Sequence, residues 1–198
     1  MISGLGFATP IFAIFLISHI KGGSIEVAGF AAAIYWIFES ALMIPFGKYL
    51  DKNPGEKDDL LFIIVGNSLA ALATFGFIFS SLPWHVYVLQ AIFGIGMSMN
   101  IPAYTAIFTR HIDKGKEAYD WGFRGSLISM GTGISGALGG IVAQSFGFKI
   151  LFVSSGIFII LSAFFLFFIS KEMANKDRNM VSPVCPEIKT LQPPAPKE

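Results

Sequence analysis

Pro10–Ile20 reads PIFAIFLISHI, and Pro102–Ile112, which starts 92 residues later, reads PAYTAIFTRHI. Proline, histidine and isoleucine recur at the same three places, and Phe12 is matched by Tyr104. Each stretch belongs to a long apolar run, the first and the fourth of six. Because three runs separate the copies, the repeat predicts two three-helix units with inverted topology, which is the building plan of many secondary transporters.

The apolar residues are collected into runs instead of being scattered. Hydrophobic residues make up 54% of the 198-residue chain and charged residues 14%, whereas soluble domains carry about 25% charge. Each run is long enough to cross a hydrocarbon core of about 30 Å as a helix. The chain is therefore predicted to be an all-α membrane protein with six transmembrane helices in a 3+3 inverted-repeat bundle. The predicted spans are approximately Ile2–Ile20, Ile25–Leu50, Leu60–Leu82, Val86–Phe108, Gly122–Phe146 and Ile150–Ile169.

Basic residues are distributed unevenly between the two sides of these spans. Most lie after the second, fourth and sixth runs, at Lys48, Lys52, Lys57, Arg110, Lys114, Lys116, Lys171, Lys176 and Arg178. The positive-inside rule therefore predicts a multi-pass protein, in the plasma membrane, with both termini in the cytoplasm. We divide the chain into a bundle, residues 1–172, and a disordered, proline-rich cytoplasmic tail, residues 173–198. The net charge of +1 gives no reason to expect a nucleic-acid partner.

A charged, glycine-containing stretch, GKYLDKNPGEK, follows the second run at residues 47–57. A glycine lets two helix ends approach closely, and a carboxylate at the membrane surface can pair with a basic group or with a helix N-terminus. We predict a cytoplasmic gating loop that contains Gly47, Asp51, Lys52 and Gly55. The alternative is an ordinary solvated connection between two helices.

This stretch resembles the signature loop of the major facilitator superfamily, although Lys52 stands where arginine is usual and Pro54 is an extra residue. Gln90-x-x-x-Gly94-x-Gly96 resembles a second element of that family, with glutamine in place of arginine. Residues 135–140, SGALGG, resemble a third element without its proline. The resemblance covers residues 1 to about 172 and implies one six-helix half, most like the N-terminal half, of a twelve-helix transporter. It also implies that helices 1 and 4 line a central cavity.

Glu39 lies near the middle of the second run, about twelve residues from either end. A charged side chain at that depth costs about 3 kcal/mol, so Glu39 is protonated, paired or facing a cavity. We predict that Glu39 binds the coupling proton or cation, and that Tyr35, Asn100 and Gln90 line the transport path. The alternatives are a neutral Glu39 hydrogen-bonded to another helix, and an Asn100 that joins two helices.

Proline, glycine and arginine residues at depth carry further expectations. Pro10 and Pro102 are predicted kinks, because a proline inside a helix frees a carbonyl group. Arg124 is interpreted as an interfacial arginine, with a substrate or gating charge as the alternative. Glycines in the fourth and fifth runs are predicted to pack helices closely, or, in the fifth run, to let the helix slide or bend. The packing glycines are Gly94, Gly96, Gly136, Gly139 and Gly140.

The predicted function is secondary active transport of a small solute by alternating access. One bundle per chain requires a homodimer or a second six-helix half, with the lipid bilayer around both, and protons are the candidate coupling ion. The alternative is a non-transporting membrane interaction subunit, or a truncated remnant of a twelve-helix transporter. No zinc-protease motif, cysteine pair or phosphate-binding loop occurs, so no enzyme activity, metal or cofactor is predicted.

Overall fold

The computed structural model describes residues 11–52 and 55–180. Within them the chain forms α1 (Phe12–His19), α2 (Ile25–Lys52), α3 (Glu56–Gly76), α4 (Pro83–Arg110), α5 (Glu117–Phe146) and α6 (Phe148–Met180), with a short 3₁₀ turn at Phe77–Phe79. Five of these helices are long and apolar enough to cross a membrane. The first predicted span lies partly outside the described residues, which contain its last part as α1.

Several helices extend beyond the apolar runs that predicted them. α3 begins at Glu56, four residues before the predicted start, and its first turn holds Glu56, Asp58 and Asp59. Acidic side chains are favourable in a first turn because they face the positive end of the helix dipole. Hydropathy detects only the apolar part of such a helix and omits its charged ends. α6 likewise continues to Met180, so residues 173–180 of the predicted tail are helical and the rest of that tail lies outside the described residues.

α4 lies at the centre of the bundle and packs against α2 and α3, while α3 also packs against α6. α5 contacts α6, and α1 contacts α2. The α5–α6 connection is Gly147 alone, with a φ of 84°, a left-handed conformation that glycine adopts without a Cβ penalty. At the far end of α3, the backbone N–H of Lys21 donates to the carbonyl of Ser81 at 3.0 Å and joins the α1–α2 and α3–α4 connections.

The bundle therefore has two distinct ends. We call the one that holds the α2–α3 and α4–α5 connections the basic end, and the other the far end. The largest buried cluster lies toward the far end and contains Phe15, Leu16, Ile20, Ala31, Phe77, Val86 and Phe152. A smaller cluster of Leu50, Ile63 and Ala103 lies toward the basic end. Both clusters surround the polar groups described below.

Candidate functional site

Glu39 lies where α2 crosses α4 at backbone contact. A Cβ placed on Gly94 would lie 2.7 Å from the carbonyl oxygen of Tyr35 and 3.3 Å from the backbone nitrogen of Glu39. No side chain fits between the helices there, and Glu39 is only 4% exposed. Gly94 thus occupies a packing position, and its small size buries the carboxyl group of Glu39 deep in the bundle.

The Glu39 carboxyl group has a polar neighbour on its own helix. Tyr35 lies one turn earlier, on the same face of α2. The second carboxyl oxygen, Oε2, is buried and has no hydrogen-bond partner in the described part of the chain. A buried polar atom without a partner is costly, and such atoms mark places where a proton, an ion or a ligand is accommodated. Glu39 is therefore a buried acid whose hydrogen bonding is incomplete.

Tyr35 also lies on the wall of a cavity of about 430 Å³ in the half of the bundle nearer the far end. α1, α2, α3, α4 and α6 all contribute to that wall, as does the 3₁₀ turn. Its polar side chains are Tyr35, Thr74, Gln90 and Ser155, and the others are aromatic or aliphatic. The Thr74 hydroxyl donates to the Ala70 carbonyl at 2.8 Å, whereas the buried Ser155 hydroxyl has no partner among the described residues. The cavity thus offers free hydrogen-bonding capacity inside an apolar wall.

The wall of this cavity includes two of the predicted path residues, Tyr35 and Gln90. Asn100 occupies a different position, between α3 and α4, where its Nδ2 donates to Oδ1 of Asn67 at 2.8 Å. Both amides are buried. Next to them, a Cβ on Gly96 would lie 2.7 Å from the carbonyl oxygen of Gly66. Gly96 and Asn100 therefore hold α4 against α3.

Ion pairs at the basic end join α3 to α4. Arg110 contacts Asp59, which is fully buried, and His111 Nε2 lies 3.3 Å from Glu56 Oε1. Asp59 keeps its other oxygen, Oδ1, buried without a hydrogen-bond partner in the described residues. Removing Arg110 would leave an uncompensated charge on the buried Asp59, so the Arg110–Asp59 contact fixes α3 on α4.

The predicted gating residues occupy other positions. Three of them, Gly47, Asp51 and Lys52, belong to the last turns of α2 and not to a loop. The first strong helix stop after Pro45 is Pro54, because a proline disfavours helix at the residue before it. Asp51 and Lys52 are exposed. A Cβ placed on Gly47 would lie 3.9 Å from the Cβ of Pro102 in α4. Gly55 is the N-cap residue of α3.

The buried carboxylate at this end is Asp59, which the sequence analysis did not single out. A signal was present in the sequence, since Glu56 and Asp59 are three residues apart and share one helix face. Arg110 and His111, at the end of α4, are the basic groups that this face meets. Which helix the face meets is a property of the packed bundle.

The remaining predicted residues are divided between packed and open positions. Helix α4 runs through Pro102 without a break, and Pro10 lies outside the described residues. In α5, Gly139 is buried and Gly136 half-buried, whereas a Cβ on Gly140 would meet nothing within 4 Å. Arg124 packs its guanidinium over the rings of Tyr104, Phe108 and Trp121.

Long apolar helices around buried polar groups define an integral, multi-pass membrane protein. The family model for the Major Facilitator Superfamily matches residues 1–191, almost the entire chain. The chain therefore belongs to the Major Facilitator Superfamily, and this membership implies membrane transport in general. No curated protein matches the chain. In residues 11–52 and 55–168, no three His, Cys, Asp or Glu side chains come together in a group that could hold a metal ion.

Proposed function

We propose that the chain is one half of a secondary transporter, which moves a small solute by alternating access and pairs with a second copy or a second six-helix half. The observation that carries this proposal is the incompletely bonded carboxyl group of Glu39 beside Tyr35, which lines the cavity. A titratable group inside a membrane bundle is a functional candidate by default, since burying its charge is costly. Secondary transporters place their substrate and coupling-ion sites near the membrane midplane.

Two equivalent contacts support the inverted repeat. His19, at the end of α1, packs edge-to-face against Phe148, the first residue of α6, with ring centroids 4.6 Å apart. His111, just after α4, contacts Glu56, the first residue of α3. His19 and His111 are 92 residues apart, and so are Glu56 and Phe148. An inverted repeat that relates α1 to α4 and α3 to α6 converts the His19–Phe148 contact into the His111–Glu56 contact, so it requires both.

The cavity wall favours particular solutes. Among the described residues it carries no charged side chain, and its polar groups are hydroxyls, one amide and the indole N–H of Trp36. Polyanionic solutes would lose their hydration there without gaining a compensating charge. We therefore propose an uncharged or cationic solute with a substantial apolar part, held by Tyr35, Gln90 and Ser155.

Glu39 would carry the coupling proton. A charged Glu39 is unfavourable by about 3 kcal/mol at this depth, and protonation removes that cost. Its link to the solute is Tyr35, which neighbours Glu39 on α2 and also lines the cavity. A solute that displaced the Tyr35 side chain would change the surroundings of the carboxyl group. Proton uptake and solute binding would in this way depend on each other.

A second bundle would complete the path, and α5 provides a surface for it. Ser135 and Gly139 are the buried residues of α5, while large apolar side chains along it are exposed. A stripe of these at helical spacing comprises Phe123, Leu127, Met130, Ile134, Leu138 and Ile141. We propose that this stripe meets the partner bundle, with both termini of each chain in the cytoplasm.

The first experiment measures uptake by the full chain in proteoliposomes. Glucose, alanine, succinate and tetraphenylphosphonium serve as initial probes, and the probe that raises the thermal unfolding midpoint is then radiolabelled. In the wild type, uptake should change with an imposed proton gradient, and in Glu39→Gln it should become independent of the gradient. Glu39→Asp, which retains the carboxyl group, is the matched control and should keep the dependence. If the Glu39→Gln protein responded to the gradient as the wild type does, Glu39 would have no part in coupling.

The second experiment tests the partner bundle. Leu138→Cys in a Cys185→Ser background should form a cross-linked dimer in native membranes. Leu72→Cys, on the exposed face of α3, is the control for random encounters and should not. If neither variant cross-links and no probe stabilises the protein, the chain is better described as an interaction subunit or the remnant of a longer transporter.

A further inference from the structure

Arg124, in the second turn of α5, lies among three aromatic rings at the basic end. Its guanidinium carbon is 4.8 Å from the ring centroid of Tyr104, 5.2 Å from that of Trp121 and 5.4 Å from that of Phe108. Aromatic faces attract cations because the ring quadrupole is negative above the ring plane. The rings thus attract the guanidinium charge, and this attraction leaves the N–H donors for other partners.

Those donors have no partner in the described part of the chain. The Nε atom of Arg124 is buried and has no hydrogen-bond partner, and no carboxylate among residues 11–52 and 55–168 forms a salt bridge with it. Asp120, one turn earlier on α5, accepts instead from the backbone N–H of Asp113 at 3.2 Å. An arginine carries five N–H donors in a planar fork, so Arg124 retains most of its donor capacity.

A cavity of about 400 Å³ adjoins Arg124, between the end of α4 and the start of α5. Its charged or titratable wall residues are Arg124, His111, Asp113 and Asp120. Both carboxylates already have partners, because Asp113 lies 3.7 Å from the ammonium group of Lys116 and Asp120 binds the connection backbone. Both carboxylates thus have a partner among the described residues, whereas the guanidinium group of Arg124 has no hydrogen-bond partner there.

We infer that this cavity binds a phosphate group through the guanidinium edge of Arg124. The planar fork of arginine matches two oxygens of a phosphate, and such charge-assisted pairs are among the stronger hydrogen bonds in proteins. Tyr119, in the first turn of α5, is exposed, as aromatic residues at a membrane surface commonly are. Lipid phosphates lie at that depth, and a soluble phosphate or phosphate ester could enter from the water.

The inference is independent of the proposed transport function. It concerns the opposite half of the bundle from the Tyr35 cavity and requires neither a second bundle nor proton coupling. It also gives the hydrogen-bond donors of Arg124 a ligand, which a surface-directed interfacial arginine would not need.

The test uses the purified full chain in an uncharged detergent. Thermal unfolding is followed with dioctanoyl phosphatidic acid, with dioctanoylglycerol, which lacks the phosphate, and with inorganic phosphate against chloride at equal ionic strength. Phosphatidic acid should raise the midpoint and dioctanoylglycerol should not. If inorganic phosphate raises the midpoint as much as phosphatidic acid does, the ligand is a soluble phosphate or phosphate ester. If only the lipid raises the midpoint, the ligand is a lipid headgroup.

Arg124→Gln is the decisive variant, and Lys114→Gln, which removes one exposed positive charge from the same connection, is the matched control. Arg124→Gln should bind phosphatidic acid about tenfold to a hundredfold more weakly, the factor expected for a charge-assisted hydrogen bond. Lys114→Gln should bind within about threefold of the wild type. Equal binding by the wild type and Arg124→Gln, or no stabilisation of the wild type by either phosphate probe, would overturn the inference.

A fluorescence titration of the wild-type protein covers the case in which Arg124→Gln fails to fold. Trp121 packs on Arg124, so phosphate binding should change its emission, and Trp121→Phe, which keeps an aromatic ring, should abolish that change. A phosphate-dependent signal that persists in Trp121→Phe would place binding elsewhere and overturn the inference.

Discussion

Replacing Gly96 by alanine should separate α3 from α4. The added Cβ would lie 2.7 Å from the Gly66 carbonyl oxygen and 3.1 Å from the backbone nitrogen of Ala70, both of which are backbone atoms that no rotamer change can move. Ordinary contact begins at 3.4 Å, so the helices must move apart by about 0.7 Å at this point. Every side chain in the α3–α4 contact would lose part of its packing.

The energetic cost follows from two opposing effects. Overpacking a well-packed interior costs about 1–3 kcal/mol, while alanine gains up to about 1 kcal/mol over glycine in a helix interior. The Asn67–Asn100 hydrogen bond lies beside the same contact, and its weakening adds about 0.6 kcal/mol. Gly140→Ala isolates the packing effect, because a Cβ there meets nothing within 4 Å and the gain in helix propensity is the same.

The assay is thermal unfolding of both variants in the same detergent. A difference of about 2 kcal/mol corresponds to about 4–8 °C for a chain of this size, with Gly96→Ala the less stable. Gly66→Ala should lower the thermal midpoint of the Gly96→Ala variant by less than it lowers that of the wild type. Both added methyl groups press on the same α3–α4 contact, and Gly96→Ala has already widened it. If Gly96→Ala and Gly140→Ala unfold at the same temperature, the close approach of α3 and α4 at Gly96 is refuted.

Two further predictions concern polar contacts of α4. Arg110→Gln should destabilise the protein by about 3 kcal/mol because it leaves the buried Asp59 carboxylate unpaired. Adding Asp59→Asn should restore most of that loss. If the thermal midpoint of the double variant did not recover, Asp59 and Arg110 would not form the pair. Asn100→Leu should lower the free energy of unfolding by about 1 kcal/mol, since Asn67 then loses its 2.8 Å hydrogen bond. The double variant with Asn67→Leu should be only slightly less stable than Asn100→Leu. Additive losses in the same assay would show that the two amides act separately.

The sequence predicted the helices well because each apolar run is long and nearly uniform. It predicted their ends less well, since charged first turns such as that of α3 are helical without being apolar. Glu39 was recognisable as a charge within an apolar run. Its partial pairing was not, because that depends on the crossing at Gly94, which brings α4 onto the backbone of α2.

Contacts between helices were the least predictable part of the site. Asp59 and Arg110 are 51 residues apart, and the rings of Tyr104 and Phe108 meet Arg124 from a different helix. Helical spacing identifies which residues share a face, but it does not identify the neighbour of that face. Under the proposed inverted repeat, a contact of α4 with α3 implies a contact of α1 with α6. Phe15 of α1 and Phe152 of α6 make such a contact, with ring centroids 4.8 Å apart.

In the register of the proposed repeat, the two halves of the bundle differ at one informative position. Position 39 in α2 holds the buried glutamate, and position 131, its equivalent in α5, holds glycine. Gly47 and Gly139 are equivalent in the same register and both keep their glycine. The two units therefore share packing residues but not the acid. If two copies of the chain pair as we propose, the dimer contains two such acids, whereas a different partner half need supply none. The number of protons moved with each solute would then distinguish a homodimer from a pair of unlike halves.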